Sequence, residues 1–129
     1  MDVYVELDQA LKELQRRLQQ WTDDGIVVGQ TTWREKIPAK SEWPVKLFVD
    51  RSAVSDPWSF GFNCWMFDRG WQPLAHARVV LYDGGWADFD WFVPGETYTC
   101  ECPPIAAVSQ FGALLDRIHE ILRTCGGGT

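Results

Sequence analysis

Residues 75–93, AHARVVLYDGGWADFDWFV, decide how the rest of the chain is read. Two runs rich in β-branched and aromatic residues flank Asp83-Gly84-Gly85, and glycines there tolerate the positive φ of a tight turn. So short a connection joins antiparallel neighbours, because a parallel crossover needs about a dozen residues or more. Side chains alternate between the two faces of a strand, so each run divides into two sets. Ala75, Ala77, Val79 and Leu81 form an apolar set, with His76, Arg78, Val80 and Tyr82 opposite. In the second run Ala87, Phe89, Trp91 and Val93 form the inward set, and Trp86, Asp88, Asp90 and Phe92 the outward one.

The same composition recurs around this hairpin. Strands are expected near 26–33 (IVVGQTTW), 45–49 (VKLFV) and 58–67 (WSFGFNCWMF), giving about five in all, with a short extension in GETYTCECPP at 95–104. IPAKSEWP at 37–44 and DRSAVSDP at 50–57 read as loops, and DRGWQP at 68–73 as a second hairpin connection. In 58–67 the apolar set is Trp58, Phe60, Phe62, Cys64 and Met66; the other set ends in Trp65 and Phe67. Trp33, Trp43 and Trp71 read as loop tryptophans covering the edges of a thin core.

Helical periodicity brackets the strands. Leu7, Leu11, Leu14, Leu18 and Trp21 recur at steps of four and three, which draws one stripe along a helix over 2–22, started by Asp2 or Asp8 and stopped by Asp23-Asp24-Gly25. Val108, Phe111, Leu114, Leu115, Ile118, Ile121 and Leu122 do the same over 104–124, with Pro104 in the first turn and a flexible tail at 125–129. The expected architecture is α+β: an N-terminal helix, a mostly antiparallel sheet within 25–102 and a C-terminal helix, both helices packed on one face. With 129 residues, 46% apolar and 23% charged, the chain has the size and composition of one domain spanning 1–129.

Net charge is −6, from 12 basic and 18 acidic residues, which disfavours nucleic acid and favours a basic protein partner. No segment has the length and apolarity of a membrane span or the form of a secretory leader, so a cytoplasmic chain is expected, with Cys64, Cys100, Cys102 and Cys125 as thiols. No nucleophile, phosphate-loop or dinucleotide motif is present. Asp88 and Asp90 project to one side and could bridge a divalent cation, with Glu35, Glu96, Glu101 and His76 as further carboxylates or imidazole. The Cys100-Glu101-Cys102 spacing lacks the paired form of a structural zinc site.

These features lead to a small acidic protein-binding module that neutralises or inhibits one partner, as immunity proteins, antitoxins and inhibitors do. It is expected to be no enzyme and to need no metal or cofactor. Its expected contact residues are Trp65, Tyr82, Trp86, Asp88, Asp90 and Glu96, the rings as anchors and the acids toward Lys or Arg. Two further expectations stand beside it: a ligand-binding or metal-dependent hydrolytic domain using Asp88 and Asp90, and a self-associating scaffold dimerising through Leu7, Leu11, Leu14 and Leu18.

Overall fold

Residues 3–36, 46–96 and 98–126 are described by the structure, a computed structural model. The loop expected at 37–44, with Trp43, and the end of the expected tail lie outside those residues. Helix α1 spans Leu7–Asp23. It begins later than its periodicity suggests, because the backbone N–H of Val5 donates to the carbonyl of Asp83 beside the central turn, holding residues 3–5 out of the helix. Glu6 is the N-cap, its side chain accepting from the N–H of Asp8 at 3.3 Å. At the other end Gly25, at φ +86°, turns the chain out of the helix.

Among the described residues seven strands follow: β1 (Ile26–Val28), β2 (Thr32–Glu35), β3 (Leu47–Phe48), β4 (Pro57–Phe67), β5 (Pro73–Tyr82), β6 (Trp86–Phe92) and β7 (Thr99–Glu101). All pairings are antiparallel, in the order β3-β2-β4-β5-β6-β7, with β1 also on β4. The α+β expectation holds, with more strands than the five anticipated.

Of the two additional strands, β7 is the short extension expected at 95–104, and the other arises from an irregularity that hydrophobic alternation does not reveal. The single run expected at 26–33 is two strands on one partner. Val28 faces Cys64 and Thr32 faces Gly61, so the segment between them holds one residue more than its counterpart in β4. That bulge inverts the alternation: Ile26 is buried before it, and Trp33 is buried after it. Trp33 is therefore a core residue, packed on Phe60 with ring centroids 5.1 Å apart, and does not lie in a loop. A second bulge, where Arg34 faces Ser59 but Glu35 faces Pro57, turns Trp58 away from the core set to which its position assigns it. Its ring lies edge-on against Tyr82, 5.0 Å between centroids.

Helix α2 spans Val108–Gly126. It starts four residues after Pro104, because 103–105 continue alongside β6. Ala87 N–H donates to the Pro103 carbonyl at 3.1 Å and Ile105 N–H to the Gly85 carbonyl at 2.8 Å, while Ile105 itself is buried. Gln110 then reaches back with its side-chain oxygen to the N–H of Ala106, a capping interaction for the first turn. The helix continues through Cys125, where a frayed tail was expected.

Both helices lie on one face of the sheet. Leu7, Leu14, Trp21, Phe111, Leu115, Ile118 and Leu122 close over Phe60, Phe62, Val79, Leu81 and Phe89. The leucine stripe of α1 is turned to this core: Leu7 and Leu14 are buried, and Leu11 and Leu18, half-buried, pack against it. Arg17 ties α1 to Asp116 of α2 at 2.7 Å, and Arg117 ties α2 to Glu101 of β7 with Nη2 at 2.7 Å. Asp24, an acid at a helix C-terminus where the macrodipole disfavours it, is held by His119 of α2 at 2.6 Å. His119 thus sits half-buried between Asp24 and the Trp21 ring rather than on an open helix surface.

Candidate recognition surface

The face that the helices leave uncovered is ordered by strand register into four rows of side chains. The first holds Arg34, Ser59, Tyr82 and Trp86, and the second Thr32, Gly61, Val80 and Asp88. The third holds Asn63, Arg78, Asp90 and Cys100, and the fourth Trp65, His76 and Phe92. Two aromatic rows thus flank two rows that are polar or small.

Each aromatic row is stacked. Tyr82 and Trp86 lie nearly parallel, 4.6 Å apart with an interplanar angle of 13°, and Trp58 joins them through its bulge. At the opposite end Trp65 stacks on His76 at 5.1 Å and 6°. Tyr98, just before β7, borders the same hollow as His76 and Phe92. Trp71 stands beyond them at the tip of the β4–β5 hairpin, 75% exposed, with its ring 5.8 Å from Phe67. Its φ of +60° is unusual for a bulky residue, and Asp68 holds the tip by accepting from the N–H groups of Gly70 and Gln72.

Between the rows the polar groups are largely satisfied by one another. Arg78 Nη2 donates to Asp90 at 3.1 Å, and the Asp90 side chain is only 13% exposed. Tyr82 donates its hydroxyl hydrogen to Asp88 at 3.1 Å, and Cys102 donates to the other Asp88 oxygen at 3.4 Å. His76 Nε2 lies 2.9 Å from Asn63 Oδ1, so the amide oxygen accepts from the ring. Burial pushes the His76 pKa down and favours the neutral ring. The Tyr82 hydroxyl is pushed up first by burial and then by Asp88, with Arg34 opposing the shift. The Asp90 carboxylate is the main cause raising the Tyr98 pKa.

Of the expected contact residues, Trp65, Tyr82, Trp86, Asp88 and Asp90 all lie on this face. They do not form one ring cluster. Trp65 is six residues along β4 from Ser59, the partner of Tyr82, which is roughly 20 Å at about 3.3 Å per residue. Glu96 lies apart, exposed in the turn after β6 and close enough to Cys125 of α2 to raise that thiol's pKa behind the larger effect of burial. The two aspartates point inward along the face to neighbours of this chain. Arg78 as the Asp90 partner could have been found in the sequence: a turn that sets Tyr82 opposite Trp86 also sets Arg78 opposite Asp90. Arg34 and Trp58 could not, since both depend on bulges.

Among the described residues no group of three or more His, Cys, Asp or Glu side chains is gathered as a metal site. The four cysteines are unpaired thiols, and burial pushes that of Cys64 up to about 12. No helix of the described residues is long and apolar enough to cross a membrane. No known protein family, characterised protein or solved structure matches this chain.

Proposed function

We propose that the chain is a protein-binding module that neutralises or inhibits one partner through the uncovered face of its sheet. The observation that carries this reading is the set of large rings standing out of that face, with Trp86 38%, Phe92 42% and Tyr98 52% exposed. Exposed apolar patches rimmed by polar groups mark interaction sites, and Trp and Tyr are prominent among the residues that dominate binding energy. The rings are also pre-positioned: Trp86 by Tyr82, and Tyr82 by its hydrogen bond to Asp88. Rings already held in place lose little freedom on binding.

The division of labour differs from a simple meeting of acids with a basic partner. Net charge of −6 steers a basic protein toward the chain from a distance, so the association rate falls with salt. Contact is then made by the rings, while Asp88 and Asp90 orient their neighbours. Their engagement within the face favours action by binding over acid–base catalysis, and burial of the leucine stripe removes the motive for self-association through it.

The test begins with affinity capture from cells of the source organism and continues with the purified partner. Trp86→Ala and Phe92→Ala should each weaken its binding by about tenfold or more, with the melting temperature of the free chain nearly unchanged. A partner that binds both variants as tightly as the original chain would overturn this assignment of the face.

A further inference from the structure

We propose that the hollow above Gly61 is a carboxylate-binding site. It encloses about 170 Å³ on the uncovered face, and its walls include Arg34 of β2 and Arg78 of β5, with the polar side chains of Thr32, Ser59 and Asn63. Among the described residues two guanidinium groups and no carboxylate line it, in a chain whose net charge is −6. The neighbouring hollow, about 250 Å³ around His76, Asp90 and Tyr98, contains its own acid. Positive charge is therefore concentrated locally against the sign of the whole molecule.

The donors are available. Six arginines, at 16, 17, 51, 78, 117 and 123, make ion pairs. Among the described residues Arg34 makes none, although it is half-buried; Arg69, the other such arginine, is exposed at a hairpin tip. Arg78 uses one terminal nitrogen for Asp90. Asn63 accepts from His76 through its oxygen, which leaves its NH2 to donate. Backbone geometry keeps the floor bare, because a Cβ on Gly61 would lie 2.8 Å from the Val79 carbonyl oxygen and 3.0 Å from Val80 Cγ2.

One guanidinium without an acidic partner calls for one negative charge, and the planar fork of arginine matches the two oxygens of a carboxylate. Leu47 and Val80 on the walls suit a short apolar body behind that group. At about 30 Å³ per water-sized volume, the hollow has room for a carboxylate and a few carbons. Such a group comes from a free small acid or from an acidic side chain of a polypeptide. The site does not depend on the partner reading above, which concerns the exposed rings.

The experiment is an amide NMR titration of the full chain with sodium butyrate, against sodium chloride at matched ionic strength. Parallel arms use inorganic phosphate and a short peptide bearing a single Glu, with its Gln counterpart. The expected result is saturable shifts at Thr32, Gly61, Asn63 and Val80 that chloride does not reproduce. Affinity should fall about tenfold in Arg34→Gln, as expected for loss of a charge-assisted fork. Arg78→Gln serves as a second variant, and melting curves confirm that each variant folds. A Glu peptide that binds more tightly than butyrate supports the site and assigns it to a polypeptide; the reverse order supports it as a small-acid site. Equal shifts with chloride, tighter binding of phosphate, or undiminished binding in both folded variants would overturn the proposal. Because Trp86→Ala leaves these donors in place, it should not alter butyrate binding, which separates this test from that of the partner surface.

Discussion

Strand β5 carries both sides of the molecule in one stretch of ten residues. Toward the helices it presents Ala75, Ala77, Val79 and Leu81, all buried; toward the other side it presents His76, Arg78, Val80 and Tyr82, all partly or fully exposed. One set gains stability by leaving water, without directional demands. The other set is held by directed contacts among neighbours: Asn63 for His76, Asp90 for Arg78, Asp88 for Tyr82. The difference teaches that this sheet is stabilised from one side and organised from both. The uncovered side is arranged well beyond what solubility requires.

The largest expected effect breaks the symmetry outright. Phe62→Ala empties a buried site beside Trp21 and should cost about 3–5 kcal/mol of unfolding free energy, whereas Phe92→Ala on the uncovered side should cost under about 1 kcal/mol. Equilibrium denaturation of the two variants checks this, and equal losses would mean that the two sides support the fold alike. A smaller effect of opposite sign belongs to the hairpin tip. Trp71→Gly relieves a left-handed backbone and should raise stability by about 1 kcal/mol in the same measurement. Among the described residues no other non-glycine position has a left-handed backbone, so an unchanged or lowered midpoint would remove the contrast there.

The smallest effect concerns acid. Asp116 and Glu101 are held below their ordinary carboxylate values, Asp116 mainly by Arg17 and Glu101 mainly by Arg117. Their folded pKa values lie below the unfolded ones, so their contribution is complete above the ordinary values of 3.8 and 4.5 and is lost as pH falls through the folded values. Both pairs are on the helix side and largely solvated, so each is worth about 0.5 kcal/mol. Acidification below about pH 4 should therefore loosen the helices more in the original chain than in Asp116→Asn, measured as the pH dependence of the denaturation midpoint.

How much of this was legible beforehand depended on bulges. β5 and β6 pair with each other without irregularity, so alternation assigned Leu81 and Phe89 to the core and Tyr82, Asp88 and Asp90 to the other side correctly. Trp33 and Trp58 defied the same rule, because one extra residue in a ladder inverts every side chain beyond it and is set by partner register. The C-terminal helix was legible in its apolar spacing but not in its start, since Pro103–Ile105 take their conformation from hydrogen bonds to the β5–β6 turn and β6. Within the candidate site, residue types and sidedness could be read. The satisfaction of Asp88 by Tyr82 and Cys102 could not, because it joins β5, β6 and the segment that follows β7.

The two helices that seal the core are made well apart in time during synthesis. α1 leaves the ribosome before its partner α2, which follows only after residues 24–107, an interval on the order of ten seconds at about 5–20 residues per second. Throughout that interval Leu14 and Trp21 have no α2 beneath which to shelter. A circular permutation that brought the two helices together at one end of the chain would shorten this exposure, and yield of soluble protein at high temperature would register the difference.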